Sequence, residues 1–202
     1  MEPIRSEWEL KKACDAGGAV ILAADASIHL TRDLELRIAC QISGGGTIKG
    51  KGVVAMGGAA ISISGLTLTE GSVFAEGKGT TLACVDVAVV RAEGSRSQTN
   101  GIFVESGAAA TVEGGRIVGA GDGIVVAGAG STVLVTRVAV ESSKRHAVTA
   151  KDGGVATVRE CAFSGSGSED QHEERGGKIL TGEGGGEGAA DAVADGVAQL
   201  TV

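Results

Sequence analysis

The chain has 202 residues, of which 35 are Gly, three Phe, one Trp and none Tyr, and its net charge is −7. Because 43% of the residues are hydrophobic and only one is Pro, the composition excludes both intrinsic disorder and collagen. The acidic balance gives no basic face for nucleic acid and little attraction to anionic membranes. A fold of short aliphatic strands joined at glycine corners fits this composition.

The N-terminal segment predicts a short helix that caps the rest of the fold. Ser6 is followed three residues later by Glu9, which is the spacing of a capping box. Gly17 follows the segment and is typical of a helix C-terminus. We therefore expect a capping helix over residues 6–16, with Trp8 as an apolar lid on the first coil.

The central part of the chain contains a repeat of short apolar segments. Equivalent positions, 21 to 28 residues apart, are Ile63, Cys84, Val112, Val135 and Val158, and five residues after them are Leu68, Val89, Ile117, Val140 and Phe163. Their alternating apolar pattern predicts β-strands, which stack about 4.8 Å apart to satisfy each other's edges. The repeat predicts a parallel solenoid of about six to eight coils, regular over 19–163.

Each repeat also contains a second short strand with an outward-facing side. Aligning these blocks predicts one outward apolar stripe of Phe74, Phe103, Val125, Val148 and Leu180. Glu76 and Glu105 begin the next outward column, because alternate residues of a strand face the same side. An apolar stripe of this length is typical of a contact surface. We expect either self-association through the stripe or its covering by another segment.

The C-terminal part of the chain predicts a polar insertion followed by a last coil. Residues 164–177 are rich in Ser, Gly and charged residues and are predicted as a solvated loop. This loop holds His172 among acids but lacks the spacing of a metal-ligand set, so we predict no metal site and no cofactor. Residues 178–202 are predicted as the last coil and C-terminal cap, where Val193, Val197 and Leu200 supply the apolar positions. The chain is then one domain, 1–202.

The remaining sequence features concern location and redox state. The first residues lack the apolar core of a signal peptide, and no apolar run reaches the length of a membrane span, so an intracellular, cytoplasmic location is expected. Most of the four cysteines lie in apolar runs, which favours buried thiols over a disulfide framework. A pairing of Cys84 with Cys161 stays open.

Three groups of motifs carry a resemblance to a known family. They are Ala-Gly-Gly-Ala-Val-Ile-Leu at 16–22 with Ile-His-Leu at 28–30, Gln-Ile-Ser-Gly-Gly-Gly-Thr-Ile-Lys-Gly at 41–50, and the Gly-Ile-x-Val blocks at 101–104 and 123–126. On these motifs, residues 17–165 resemble the right-handed parallel β-helix, or pectate-lyase-like, superfamily, in its non-catalytic repeat type. The resemblance implies an all-β, single-stranded right-handed parallel β-helix. Because this superfamily holds lyases, glycosidases, phage tailspikes and non-catalytic domains, the resemblance leaves activity open.

The first candidate site follows from where enzymes of this superfamily keep their chemistry, on the outward face of one strand ladder. Phe74 and Phe103 could stack on sugar rings. Glu76 and Glu105, about one strand spacing apart, would suit a retaining glycosidase. No His, Arg or third acid supports the pair in its own column, so a covered or contact-making apolar stripe is the competing interpretation.

A second candidate site is the corner before the second strand of each repeat. The aligned ligand-binding candidates there are Asn100, Asp122 and Arg145, with His146 and Lys178 beside them. Asn-Gly and Asp-Gly are ordinary turn dipeptides, so turn geometry alone can explain the first two positions. A third aligned column, of Asp86, Arg137 and Glu160, is interpreted as a ladder of surface ion pairs, which contribute little to the stability of the protein.

The absence of a three-member catalytic constellation decides the expected function. We expect a non-catalytic binding or scaffold module that presents a strand-ladder face to a protein or an extended glycan, with no nucleic-acid or membrane partner. The alternative is a small carbohydrate-active enzyme, a polysaccharide lyase or glycosidase, that uses Glu76 and Glu105.

Overall fold

The computed structural model describes residues 2–92 and 99–182. It is a parallel β-helix of about seven turns with one short N-terminal helix, α1 (Glu7–Ala16). This architecture confirms the predicted all-β parallel solenoid with a capping helix.

Successive turns add strands to three sheets, in which neighbouring strands pair in parallel. The first sheet contains β1 (Gly18–Leu22), β4 (Cys40–Gly44), β7 (Ala60–Ser64), β10 (Thr81–Val85), β13 (Ala109–Glu113), β16 (Thr132–Thr136), β19 (Val155–Arg159) and β22 (Lys178–Thr181). The second contains β2 (Ser27–His29), β5 (Thr47–Lys49), β8 (Thr67–Thr69), β11 (Ala88–Val90), β14 (Arg116–Val118), β17 (Ala139–Glu141) and β20 (Ala162–Ser164). The third contains β3 (Leu34–Leu36), β6 (Val53–Ala55), β9 (Val73–Glu76), β12 (Ile102–Glu105), β15 (Ile124–Ala127), β18 (Val148–Lys151) and β21 (Gln171–Glu174).

The core is a linear ladder of aliphatic side chains in the predicted register. The five predicted positions of the first sheet, Ile63, Cys84, Val112, Val135 and Val158, are paired strand to strand. The five of the second sheet, Leu68, Val89, Ile117, Val140 and Phe163, are paired in the same way. All of these are buried except Phe163, which is partly buried. Because each small side chain packs on its equivalents in neighbouring turns, the narrow core needs few aromatic rings.

Helix α1 caps the first turn, but Trp8 is not the lid. Ser6 and Glu9 form the predicted capping box, with each side chain bonded to the other's backbone N–H. Leu10 and Cys14, four residues apart on one helix face, are the buried residues. Trp8 lies off that face and is 69% exposed. The prediction for Trp8 is therefore wrong, since helical periodicity selects Leu10 and Cys14 instead.

One corner of the β-helix adopts the left-handed backbone conformation in five successive turns. The equivalent residues and their φ angles are Gly65 (66°), Asp86 (52°), Gly114 (65°), Arg137 (55°) and Glu160 (52°). This column was predicted as an ion-pair ladder. Arg137 instead pairs with Glu113, and the shared property of the column is a backbone shape that non-glycine residues seldom adopt.

The predicted loop at 164–177 differs from the structure. Within it, Gln171–Glu174 forms β21, which pairs with β18 in the third sheet. The sequence did not predict this strand because its side chains are polar. It is joined to its neighbour by backbone hydrogen bonds, which need no apolar side chains. The predicted last coil begins as β22, which pairs with β19. Val193, Val197 and Leu200 lie outside the described residues.

The four cysteines are free thiols, with Cys14, Cys40 and Cys84 buried and Cys161 partly buried. The open pairing of Cys84 with Cys161 is thus not formed in this structure. Within the described ranges, no helix has the length and apolar character needed to cross a membrane.

Candidate functional site on the third sheet

The outer face of the third sheet presents two columns of side chains. The first outer column contains Glu35, Val54, Phe74, Phe103, Val125, Thr149 and His172, which are paired from strand to strand. The second outer column contains Glu76, Glu105, Ala127, Lys151 and Glu174. Phe74, Phe103 and Val125 therefore share one column as predicted.

The predicted stripe is wrong at its two C-terminal members. Val148 pairs with Ile124 and packs in the core. Leu180 lies on β22 in the first sheet, together with Lys178, which is therefore not beside the corner residues. The connection before β18 spans 142–147, one residue more than the 119–123 connection before β15. One extra residue exchanges the inward and outward faces of the following strand.

Phe74 and Phe103 form an aromatic pair on this face. Their ring centroids are 5.7 Å apart with an interplanar angle of 70°, an edge-to-face contact. Nζ of Lys151 lies 5.8 Å from the Phe103 centroid. Glu76 and Glu105 are neighbours in the second outer column, and both are half-buried. The predicted aromatic and carboxylate pairs are thus brought together on adjacent strands.

A shallow polar depression lies at the end of the second outer column. Its volume is about 330 Å³, and it is lined by Arg37, Met56, Gly57, Glu76, Gly77 and Ser106. The guanidinium of Arg37 also makes a salt bridge of 2.9 Å with Glu35. The depression therefore offers a guanidinium donor, a carboxylate acceptor and a hydroxyl group, two to three residues along the strands from the aromatic column.

The apolar residues beyond Phe103 are covered rather than solvated. Val125 is 1% exposed although it is outside the core cluster, and all four residues of β15 are buried. Thr149, the next member of the column, is 6% exposed. The half-buried aromatic part of the face therefore lies on β9 and β12.

The corner before the third-sheet strands brings Asp122, Arg145 and His146 together. The carboxylate of Asp122 accepts hydrogen bonds from the Arg145 guanidinium and from the His146 backbone N–H, the latter at 3.2 Å. The Asp122 side chain is buried, while the Arg145 side chain is about half exposed. Backbone hydrogen bonds align Asn100, Asp122 and His146, so Arg145 lies one position earlier than predicted.

A buried arginine, which sequence reasoning missed, holds the backbone around Asn100. Arg91 Nη2 donates to the Asn100 carbonyl oxygen at 3.2 Å and to the Ser72 hydroxyl at 2.8 Å, and that hydroxyl donates to the same carbonyl at 2.6 Å. Burial lowers the pKa of the Arg91 guanidinium. The backbone of Asn100 is therefore part of a structural network. No apolar or spacing pattern distinguishes Arg91 from surface arginines.

Sequence reasoning also missed a cluster formed by His146, Glu169 and His172. The imidazole rings of His146 and His172 are 4.4 Å apart, and Glu169 is hydrogen-bonded to His172. The only signal for this cluster is the register of β18 and β21, which depends on recognising Gln171–Glu174 as a strand.

Comparison with protein-family models finds no match, and comparison with curated proteins finds no significant match. The side-chain geometry of the third sheet and its corners is therefore the basis for functional inference.

Proposed function

We propose that this chain is a non-catalytic module that binds an extended glycan along the outer face of its third sheet, at β6, β9 and β12. The observation that carries the proposal is the polar depression lined by Arg37, Glu76 and Ser106 beside the Phe74–Phe103 pair. This combination of groups also fits the resemblance to the pectate-lyase-like superfamily.

The chemistry of the face matches the two surfaces of a sugar ring. A sugar has an apolar face of C–H groups, which packs on aromatic side chains such as Phe103. Its hydroxyls can accept hydrogen bonds from the Arg37 guanidinium and donate hydrogen bonds to the Glu76 carboxylate. Because equivalent side chains recur about every 4.8 Å along the stack, the face suits a chain-like ligand better than a single compact one.

A glycan fits this face better than a large protein partner. Protein interfaces bury about 800 Å² on each side around an apolar centre. Among the described residues, the exposed large hydrophobics are Trp8, Ile21, Ile38, Val85 and Leu180, and none is on the outer face of the third sheet. The depression of about 330 Å³ is instead close to the lower limit of small-ligand pockets.

A glycosidase is the second candidate function, because Glu76 and Glu105 occupy paired positions on β9 and β12. Paired positions on adjacent strands are about 4.8 Å apart, close to the carboxylate separation of retaining glycosidases. Such enzymes need one carboxyl group protonated and the other ionised. Both carboxyl groups are half-buried on one face, and no described side chain distinguishes their roles.

The test is binding and cleavage of a panel of neutral and uronic-acid oligosaccharides, measured by array and by product analysis. E76Q and F103A should weaken binding by about 10-fold or more, as expected when a charged hydrogen bond or an aromatic contact is lost. E141Q is the matched control, because Glu141 lies on β17 in the second sheet.

Three results would overturn the proposal. Cleavage of oligosaccharides by the wild-type chain that is lost in E76Q and E105Q would show that the chain is a glycosidase. Equal binding by E76Q, F103A and E141Q would place the ligand elsewhere. No binding to the panel, together with a change in molar mass of F103D by light scattering, would identify the stripe as a protein interface.

A further inference from the structure

Three side chains with metal-binding atoms converge at the C-terminal end of the third sheet. One donor atom from each of His146, Glu169 and His172 lies within 4.8 Å of the other two. The imidazole rings are 4.4 Å apart and tilted by 38°, and Nδ1 of His172 is hydrogen-bonded to Oε1 of Glu169 at 2.5 Å. The cluster therefore brings two imidazoles and one carboxylate within a few ångströms of one another.

The pairing of adjacent turns of the β-helix brings the three residues together. His146 is at the corner before β18, and Glu169 is at the matching corner one turn later, since Ser168 N–H donates to Arg145 O and Val148 N–H donates to Asp170 O. His172 is the second residue of β21 and pairs with Thr149. Two adjacent turns, joined by backbone hydrogen bonds, thus hold the three donors.

His146 has an unused donor position. Its Nδ1 atom is buried and has no hydrogen-bond partner among the residues that the structure describes. A buried ring nitrogen without a partner is unfavourable, because it has lost its hydrogen bond to water. Coordination of a metal ion through Nδ1 would give this nitrogen a partner.

The charges around the cluster are consistent with a bound cation. Glu169 is exposed, with its carboxylate hydrogen-bonded to His172, and the carboxylate of Asp122 is paired with the nearby Arg145 guanidinium. The Glu169 carboxylate therefore supplies the negative charge that favours a divalent ion.

We propose that His146, Glu169 and His172 form a binding site for a divalent transition-metal ion of the zinc type. Two imidazoles and one glutamate are a ligand set that Zn²⁺ takes, with the fourth position left to water or a ligand. In a tetrahedral site with bonds of about 2.0–2.2 Å, donors lie about 3.3 Å apart. The donors here lie within 4.8 Å of one another, with 2.5 Å between His172 and Glu169, so the side chains must adjust by about an ångström. His172 keeps one ring proton, which moves from the nitrogen that binds the ion to the other ring nitrogen by exchange with solvent.

The proposed ion would join the last described turns of the β-helix. His146 belongs to the turn of β18, and Glu169 with His172 belongs to the turn of β21. A ligand that binds only the folded chain stabilises it by RT ln(1 + [L]/Kd). Zinc should therefore raise the melting temperature, and it should do so independently of glycan binding at β6, β9 and β12.

The test uses the full chain without a histidine tag, titrated with Zn²⁺ by calorimetry and with Co²⁺ by visible absorption. The expected result is about one ion per chain, with tetrahedral Co²⁺ bands. H172Q and E169Q should weaken binding by at least about 10–100-fold, the loss known even for outer-shell residues.

Two matched controls are present in the chain. H29Q removes the remaining histidine, which lies on β2, and D170N removes the carboxylate next to Glu169. Both variants should keep zinc affinity and the rise in melting temperature. The site assignment is overturned if the wild-type chain binds no zinc, if H172Q and E169Q bind it as well as wild type, or if either control loses it. Equal affinity for Mg²⁺ would identify a nonspecific acidic surface instead.

Discussion

Arg91 is a buried charged residue whose guanidinium bonds to the backbone of the neighbouring turn. It is 3% exposed, and its guanidinium donates to the carbonyl oxygens of Glu70 and Gly71, each at 3.0 Å, and to the hydroxyl of Ser72 at 2.8 Å. The R91M variant keeps a long apolar stem but removes every donor. The carbonyl oxygens of Glu70 and Gly71 would then lose this donor, while the Ser72 hydroxyl would keep the Asn100 carbonyl oxygen as its partner.

The size of the effect follows from two opposing contributions. A hydrogen bond from a charged group contributes about 1.5–3 kcal/mol, and Arg91 makes several. Removing the buried guanidinium also removes its desolvation penalty, which offsets part of the loss. We expect R91M to lower the free energy of unfolding by about 3 kcal/mol, since breaking a buried charged network costs about 3–5 kcal/mol. For a chain of this size, that loss corresponds to a melting temperature about 6–12 °C lower.

Thermal and urea unfolding, followed by far-ultraviolet circular dichroism, measure this loss. R116M is the matched control, because Arg116 is exposed on β14 and its substitution should change stability by less than about 0.5 kcal/mol. Hydrogen exchange in β12 should also accelerate in R91M, because the Asn100 carbonyl oxygen accepts from Arg91 two residues before that strand. The reasoning is refuted if R91M and R116M unfold at the same temperature.

Three further predictions concern packing and ionisation. A Cβ at Gly123 would lie 2.4 Å from Val140 Cγ1 and 2.5 Å from the Ala147 carbonyl oxygen. G123A should therefore lower the unfolding free energy in urea by about 1–3 kcal/mol, and wild-type stability would contradict this packing. Burial raises the pKa of Cys84 to about 12. The folded chain therefore keeps a thiol proton that the unfolded chain loses above pH about 8.5, and wild-type stability should fall by up to about 1.4 kcal/mol per pH unit relative to C84V. Parallel pH profiles of the two proteins would exclude this linkage. T149V removes a buried hydroxyl that has no hydrogen-bond partner among the described residues. It should raise the unfolding free energy by about 1 kcal/mol, and a loss in the same urea assay would reveal a partner for that hydroxyl.

The core register could be predicted because apolar alternation repeats in phase along the chain. Ile63 and its four equivalents are paired as expected, since a shift by one residue would expose a whole apolar face. The β21 strand was missed because Gln171–Glu174 shows no apolar alternation. Its position depends on backbone pairing with β18, which leaves no trace in hydropathy.

The corner column of Asp86, Arg137 and Glu160 shows a different limit of sequence reasoning. The charges suggested ion pairs, but the shared constraint is a positive φ angle. The glycines at equivalent positions, Gly65 and Gly114, were the signal for that constraint. A position that alternates between Gly and polar residues in successive turns is better interpreted as a left-handed corner than as a charge ladder.

Packing at the neighbouring corner explains why the histidines meet. The residue just before β12 and β15 must be small, because a Cβ at Gly101 would lie 2.5 Å from Ile117 Cγ2 and one at Gly123 would lie 2.4 Å from Val140 Cγ1. The predicted alignment places His146 at this position, where an imidazole cannot fit. The extra residue in 142–147 brings the fully buried Ala147 there instead. His146 then moves to the outer corner beside Glu169 and His172, so the steric demand of the core is what assembles the proposed metal site.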